Sequence, residues 1–281
     1  MIHTSRQLKD LIRNKSKGDS RKAQSLIRIY CLERFLERLS LSQYRDNFII
    51  KGGMLVSSMI GTERRTTMDL DTTIKGQELS IDNARDVVSD IIKIQLNDGM
   101  RFELQDAYEI MDEAEYPGVR LMLAAWLERM KTPIKIDIST GDAITPHEIT
   151  YSYKLMFEDR DIDLLSYNLL TILAEKIETV IYRGTANTRL RDFYDIYILS
   201  DVYSDDIDWS LLNDAIRATS AKRGSEAVMA DAVQIISELH DDDGMRLQWK
   251  RYQKQNDYAA DISWDDIIKR IAEIVTESTI L

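Results

Sequence analysis

Residues 48–74 read FIIKGGMLVSSMIGTERRTTMDLDTTI, and the order of residue types in this stretch decides what can be built from it. Phe48, Ile49 and Ile50 are a short apolar run suited to a buried strand. Lys51, Gly52 and Gly53 then make a turn, and MLVSSMIG reads as a short helix that stops near Gly61. Residues 67–74 alternate as a second strand, whose period of two sets Asp69 and Asp71 on one face and Met68 and Leu70 on the other. Strand, glycine turn, helix and acidic strand thus follow within one short stretch. The turn puts small residues and the free N–H groups of a helix start where phosphate oxygens could approach. It is not a Walker motif, because the GxxxxGK[ST] spacing is absent.

Working outward, Ser80 can cap a helix running to about Ile94, and residues 101–110 form a strand. Two extended segments follow, 118–127 and 134–139, with ERMKTP between them as the expected hairpin loop. In the second segment Ile134, Ile136 and Ile138 face one way and Lys135, Asp137 and Ser139 the other. Asp137 is therefore a third carboxylate on a half-buried strand, where a charge needs compensation. Three carboxylates on rigid strands suit Mg²⁺ or Mn²⁺, hard cations that leave coordination positions for water and phosphate oxygens. The competing reading is a solvated strand face.

Upstream, Leu26, Ile27, Tyr30, Phe35 and Leu39 recur at helical intervals and predict an amphipathic helix over 23–39. After Pro146 the pattern turns helical, in LLSYNLLTILAEKIETVIYR, TRLRDFYDIYILS, WSLLNDAIRAT and residues 225–239. The expected division is a basic, amphipathic helical segment over 1–40, an α/β domain over 41–150 and a helical domain over 151–281, an α+β protein overall.

Composition narrows the function classes. A hydrophobic fraction of 44% fits an ordinary globular chain rather than a disordered one. The N-terminus has no apolar leader and no stretch approaches the roughly 18 apolar residues of a membrane helix, so the expectation is a cytoplasmic protein with no membrane role. Cys31 is alone among apolar neighbours and reads as a buried hydrophobe. His3, His147 and His240 have no ligand-like spacing, which removes zinc and triad chemistry. A net charge of −11 argues against a surface that is basic throughout. Two local basic clusters remain as candidate nucleic-acid tracks: residues 1–28, with Arg6, Lys9, Arg13, Lys15, Lys17, Arg21, Lys22 and Arg28, and the group Arg246, Lys250, Arg251 and Lys254, interleaved with Trp249 and Tyr252.

Three stretches, KGGMLVSSMIGTERRTTMDLD, KIDIS around Asp137 and AEKIETVIYRGTANTRLRDFYDIY, carry a family likeness over about residues 48–199. The chain resembles the AbiEii/AbiGii-type nucleotidyltransferase toxins of the polymerase-β-like nucleotidyltransferase superfamily. The resemblance implies a polymerase-β-like domain with a mixed sheet, followed by a helical domain that contributes to the active-site cleft. It assigns Gly52 and Gly53 to the nucleotide loop and Arg65 and Thr67 to the site, beside Lys51, which the turn itself offers as a nucleotide-binding candidate. Asp69, Asp71 and Asp137 become the metal carboxylates, and Lys176, Asp192 and Asp195 further catalytic positions, Asp192 following Arg191. Met54 and Thr67 depart from the small and serine residues frequent at their positions. Lys176 and Arg183 lie seven residues apart near one face of their helix, where they could meet phosphates. Arg191 and Asp195 could pair at i,i+4, and Glu175 and Glu178 are expected on the solvated face.

The implied function is a Mg²⁺-dependent transfer of a nucleotide from an NTP to an RNA acceptor, the 3′ end of a tRNA, by the toxin of a toxin–antitoxin or phage-defence pair with a cognate antitoxin protein. Two alternatives stand beside it: nucleotidylation of a protein by the same site, and a non-catalytic nucleotide-binding interaction module.

Overall fold

In the first part of the chain apolar residues recur at intervals of two in the strands and of three to four in the helices. The structure, a computed structural model, describes residues 1–110 and 118–278. It divides into two units, Met1–Gly141 with Ile149–Ser166, and Asp142–Glu148 with the chain from Tyr167 onward.

The first unit contains α1 (Ser5–Ser16), α2 (Ser20–Leu41), β1 (Phe48–Lys51), α3 (Gly52–Ile60), β2 (Leu70–Ile74), α4 (Ile81–Lys93), β3 (Met100–Ile110), β4 (Gly118–Leu127), β5 (Met130–Thr140), β6 (Ile149–Lys154) and β7 (Asp161–Ser166). Among the described residues the strands form one mixed sheet of seven in the order β3-β4-β5-β2-β1-β7-β6. β2 runs parallel to β5 and β1 parallel to β7, and the other neighbours are antiparallel. Helices α2 and α4 pack on the sheet. Beneath them lie Leu70, Leu121, Leu123, Ile134, Ile136 and Ile138, all buried, while the alternate positions Arg120, Lys135 and Asp137 point to the opposite face.

Several expectations change here. β2 begins at Leu70, so Asp69 stands just before the strand rather than within it. Leu70 anchors the strand as expected, but Met68 is exposed, its sulfur against Arg28. The loop between β4 and β5 is only Glu128 and Arg129. Pro133 lies inside β5, which is tolerated because β2 pairs with β5 only from Ile136 onward and demands no N–H at Pro133. The sheet also extends past residue 150: β6 and β7 belong to the first unit, where the sequence pattern suggested helix. Alternation in these strands is short and mixed with Tyr and Asp, which masks it.

The largest difference is α2. It was expected to keep a solvated polar face, yet every residue from Ile29 to Leu39 is buried, including Glu33, Arg34, Glu37 and Arg38. Distant segments supply the compensation. Arg34 pairs with Glu158 at 3.0 Å and Arg160 with Glu37 at 2.7 Å. Glu33 accepts from the Met156 N–H, and burial pushes its carboxyl up to about 8. Arg38 meets Asp98 through two bonds of 2.7 and 2.9 Å and also donates to the Arg34 and Met100 carbonyls.

The second unit holds α5 (Leu169–Arg183), α6 (Leu190–Val202), α7 (Trp209–Arg223), α8 (Glu226–Met229), α9 (Ala232–Asp241), α10 (Asp243–Gln255) and α11 (Trp264–Glu277). Trp249, Tyr252, Tyr194, Tyr258 and Trp264 cluster with ring centroids 4.8–6.5 Å apart. Trp249 is buried and donates to the Ile262 carbonyl. The aromatic residues interleaved with the second basic cluster thus pack within this unit, Trp249 in its core. No helix among the described residues is long and apolar enough to cross a membrane.

Because both partners of the Arg38–Asp98 pair are inaccessible to water, removing one strands the other. We expect Arg38→Ala to lower unfolding free energy by about 3–5 kcal/mol, measured by urea denaturation. A loss below about 1 kcal/mol would show the pair to be dispensable.

Candidate active site

One row of side chains crosses five strands of the sheet. Strand pairing aligns Tyr108 with Arg120, Arg120 with Asp137, Asp137 with Asp71, and Asp71 with Lys51. Directly opposite residues on one face of a sheet have side chains about 5 Å apart, and like charges there repel. The parallel pairing of β2 with β5 therefore forces Asp71 and Asp137 together, with Asp69 entering from the turn before β2. Burial, then the charges of Asp69 and Asp137, push the Asp71 carboxyl up to about 6, against the opposing pull of Lys51 and the Gly53 N–H. The outer carboxylates are compensated directly. Arg120 donates Nε and Nη2 to the two Asp137 oxygens, each at 2.7 Å, and Tyr108 hydrogen-bonds its guanidinium. Lys135 Nζ stands 2.7 Å from Asp69 Oδ2.

The double glycine is dictated by this crowding. Gly52 has φ +65°, and a Cβ there would lie 2.1 Å from Asp71 Oδ2. A Cβ on Gly53 would lie 2.6 Å from Thr67 Oγ1 and 3.2 Å from Arg65 Nη2. The Gly53 N–H donates to Asp71 Oδ2 at 3.4 Å, and Thr67 Oγ1 donates to Asp69 Oδ1 at 3.2 Å. Arg65 is buried and donates to the Thr66 carbonyl. No turn residue separates β1 from α3: the helix begins at Gly52, its start uncapped by the Lys51 side chain. A helix start beside a buried lysine favours an anion. Lys51, Gly52, Gly53, Arg65, Thr67, Asp69, Asp71 and Asp137 are thus all brought into one locale of the first unit.

Among the described residues no three acidic, histidine or cysteine side chains stand close enough to hold a metal ion as they are. The outer two carboxylates are instead engaged by Lys135 and Arg120. The donor chemistry nevertheless fits a divalent hard cation: Asp71 and Asp137 are paired across two strands with Asp69 just before one of them, and the repulsion Asp71 feels from the other two is what such an ion relieves.

In the helical unit Lys176 Nζ sits between Asp192 Oδ1 at 2.8 Å and Asp195 Oδ2 at 2.7 Å. Arg189 Nε meets the other Asp192 oxygen at 2.7 Å. Burial opposes ionisation of Asp192, but Lys176 and Arg189 outweigh it and hold the carboxyl below its ordinary value. Asp195 therefore pairs with Lys176 rather than with Arg191, which is exposed, and Arg183 is half-buried. Glu178, expected on a solvated face, is buried and paired with Arg223 at 2.6 Å, which also reaches Glu175 at 3.2 Å. Arg223 lies on α7, and nothing local to α5 announces it.

Sequence reading passed over Arg120 and Lys135. Lys135 could have been found, being two residues before Asp137 on the same strand face. Arg120 could not, because its relation to Asp137 depends on the register of β4 with β5.

Two solved structures share this arrangement of elements. JHP933 from Helicobacter pylori matches over 90% of this chain and 90% of its own, with a TM-score of 0.54 and 14% identity. A candidate nucleotidyltransferase from H. pylori matches over 90% of this chain and 93% of its own, with a TM-score of 0.53 and 14% identity. At such identity the likeness concerns the fold. No curated protein matches the sequence. The sequence profile of the nucleotidyl transferase AbiEii toxins of type IV toxin–antitoxin systems matches residues 34–270, which take in the double glycine, all three aspartates of the sheet and the Lys176 cluster. The chain belongs to this AbiEii nucleotidyltransferase toxin family.

Proposed function

We propose that this nucleotidyltransferase toxin uses a divalent cation, Mg²⁺ or Mn²⁺, to transfer a nucleotide from an NTP to an RNA acceptor, the 3′ end of a tRNA. The observation that carries the reading is the forced proximity of Asp69, Asp71 and Asp137 beside the glycine start of α3. In this reading the three aspartates hold the cation, which when bound supplies charge stabilisation at the reacting oxygens. The N–H groups at Gly52 and Gly53 and the ammonium of Lys51 receive triphosphate oxygens. Arg65 and Thr67 act from behind: the Thr67 hydroxyl orients Asp69, and Arg65 packs against the position a larger residue at 53 would take. The acceptor hydroxyl attacks the α-phosphorus, its proton passes to a carboxylate or water, and the bond to pyrophosphate breaks in line. Lys176, fixed by Asp192 and Asp195, and Arg183 are assigned by the same reading to nucleotide phosphates. A cognate antitoxin is the partner that family membership implies.

The N-terminal basic cluster is the proposed contact for the body of the RNA, with one revision. Lys15 and Lys22 both bind Glu63, at 3.1 and 2.5 Å, so the residues left most open to phosphate are Arg6, Lys9, Lys17 and Arg21.

The deciding experiment incubates the purified chain with Mg²⁺, each labelled NTP and total RNA. Nuclease-sensitive label is expected. Label that survives nuclease and runs with protein would replace the acceptor by a protein hydroxyl, and no label from a folded chain with any NTP would overturn the proposal. Asp69→Asn and Asp71→Asn should each reduce transfer by at least about 100-fold, equivalent to about 2.7 kcal/mol of transition-state stabilisation, with circular dichroism unchanged.

Asp71 also gives a pH prediction. Its native carboxyl, at about 6, lies above the unfolded value near 3.8, so the native state keeps the proton longer as pH rises. Wild-type stability is therefore lost between about pH 4 and pH 6, and the full penalty persists above that. In chelator, Asp71→Asn should melt above wild type at pH 7, with the advantage vanishing near pH 4. An advantage independent of pH would rule out this origin.

A further inference from the structure

The Arg120–Asp137 pair invites comparison with Arg38–Asp98, another two-pronged pair of the same unit. Arg38 is closed off from water and has two further carbonyl acceptors. Arg120 keeps 29% of its side chain exposed and Asp137 15%, at the site described above. Parting a fully buried pair strands a charge away from water and is strongly destabilising. This one is accessible, and its acidic member is one of the three carboxylates that stand together.

We propose that Arg120 is an exchangeable counter-ion for Asp137, holding both carboxylate oxygens while no cation is present and turning to a substrate phosphate when a divalent cation takes Asp137. This rests on the reading of Asp69, Asp71 and Asp137 as the cation site. The physical argument has three steps. First, register fixes Arg120 directly opposite Asp137 on the side away from Asp71, so the carboxylate lies between a guanidinium and the acidic pair. Second, a guanidinium using both oxygens and a divalent cation drawing on the same carboxylate repel each other, even where lone pairs remain. Third, the displaced guanidinium stays tethered to β4 and presents a planar donor fork, the geometry that best matches phosphate oxygens. Cation and anionic substrate would then favour one another's binding, since each relieves what the other leaves unpaired.

Arg120 is in these terms a counter-ion in the empty site and a phosphate-binding residue in the filled one, and its effect is read in binding of cation and nucleotide. Mn²⁺ affinity is measured by calorimetry at fixed pH, for wild type, Arg120→Gln, Arg120→Lys and Asp137→Asn, with and without a non-hydrolysable NTP analogue. Without nucleotide, Arg120→Gln should bind Mn²⁺ about tenfold more tightly than wild type, because the competing cation has gone. Arg120→Lys should fall between them, as a point charge cannot hold both oxygens. The analogue should tighten Mn²⁺ binding more in wild type than in Arg120→Gln. Unchanged or weaker Mn²⁺ binding by Arg120→Gln would overturn the proposal and leave Arg120 as a support for the carboxylate. If Arg120→Gln fails to fold, Arg120→Lys decides by the same comparison. Should wild type bind no Mn²⁺ that Asp137→Asn weakens, the cation-site reading itself falls and the exchange with it, an outcome distinct from loss of the Arg120 effect alone.

Discussion

The parallel pairing of β2 with β5 is the constraint on which the rest of the site depends. Once Leu70 pairs with Ile136 to bury their side chains under the helices, the alternation of a strand leaves Asp71 and Asp137 side by side on the opposite face. A shift of one residue would expose the isoleucines and bury the charges, so the hydrophobic core and the acidic cluster are set by the same register. The repulsion is not an accident tolerated by the fold. It follows from the pattern that stabilises it.

What surrounds the carboxylates is a graded set of counter-charges. Lys51 on β1 and Arg120 on β4 bracket the acidic pair along the row, and Lys135 meets Asp69 from β5. The glycines at 52 and 53 exist because Asp71 and Thr67 occupy the space that side chains would need. A turn that looks like a phosphate loop in sequence is therefore also a packing solution, and both readings follow from one crowded volume. The buried ions of α2 show the opposite use of charge. Arg34, Glu37, Arg38, Asp98, Glu158 and Arg160 are brought together from three separate segments and locked by short bonds. In this cluster the ions carried by the helix are closed to water, and Arg160 reaches them from a partly exposed position.

The helical unit follows the same logic on a smaller scale. Asp192 and Asp195 are one turn apart on α6 and share Lys176 from α5, and Arg223 on α7 answers Glu178 and Glu175. Family membership assigns the chain to the nucleotidyltransferase toxins, and the Lys176 cluster lies inside the matched region. The second basic cluster has a different fate: its aromatic residues pack among themselves, and Arg246 is held by Asp265 at 2.7 Å.

Local pattern alone determined the strand and helix of residues 48–60 and the isoleucine alternation that puts Asp137 opposite the core. These depend on spacing within one element, and spacing is present in the sequence. It could not reveal that α2 would be buried on its polar side, because the answering charges Asp98, Glu158 and Arg160 lie 60 to 124 residues away. Nor could it identify Arg120, whose meaning comes from β4 pairing with β5, or Arg223 behind Glu178. The limits of β6 and β7 were hidden for a related reason, since strands of six residues carry little periodicity of their own. Period and polarity are properties of the chain, whereas register and long-range charge compensation come into being only when separate elements are brought into contact.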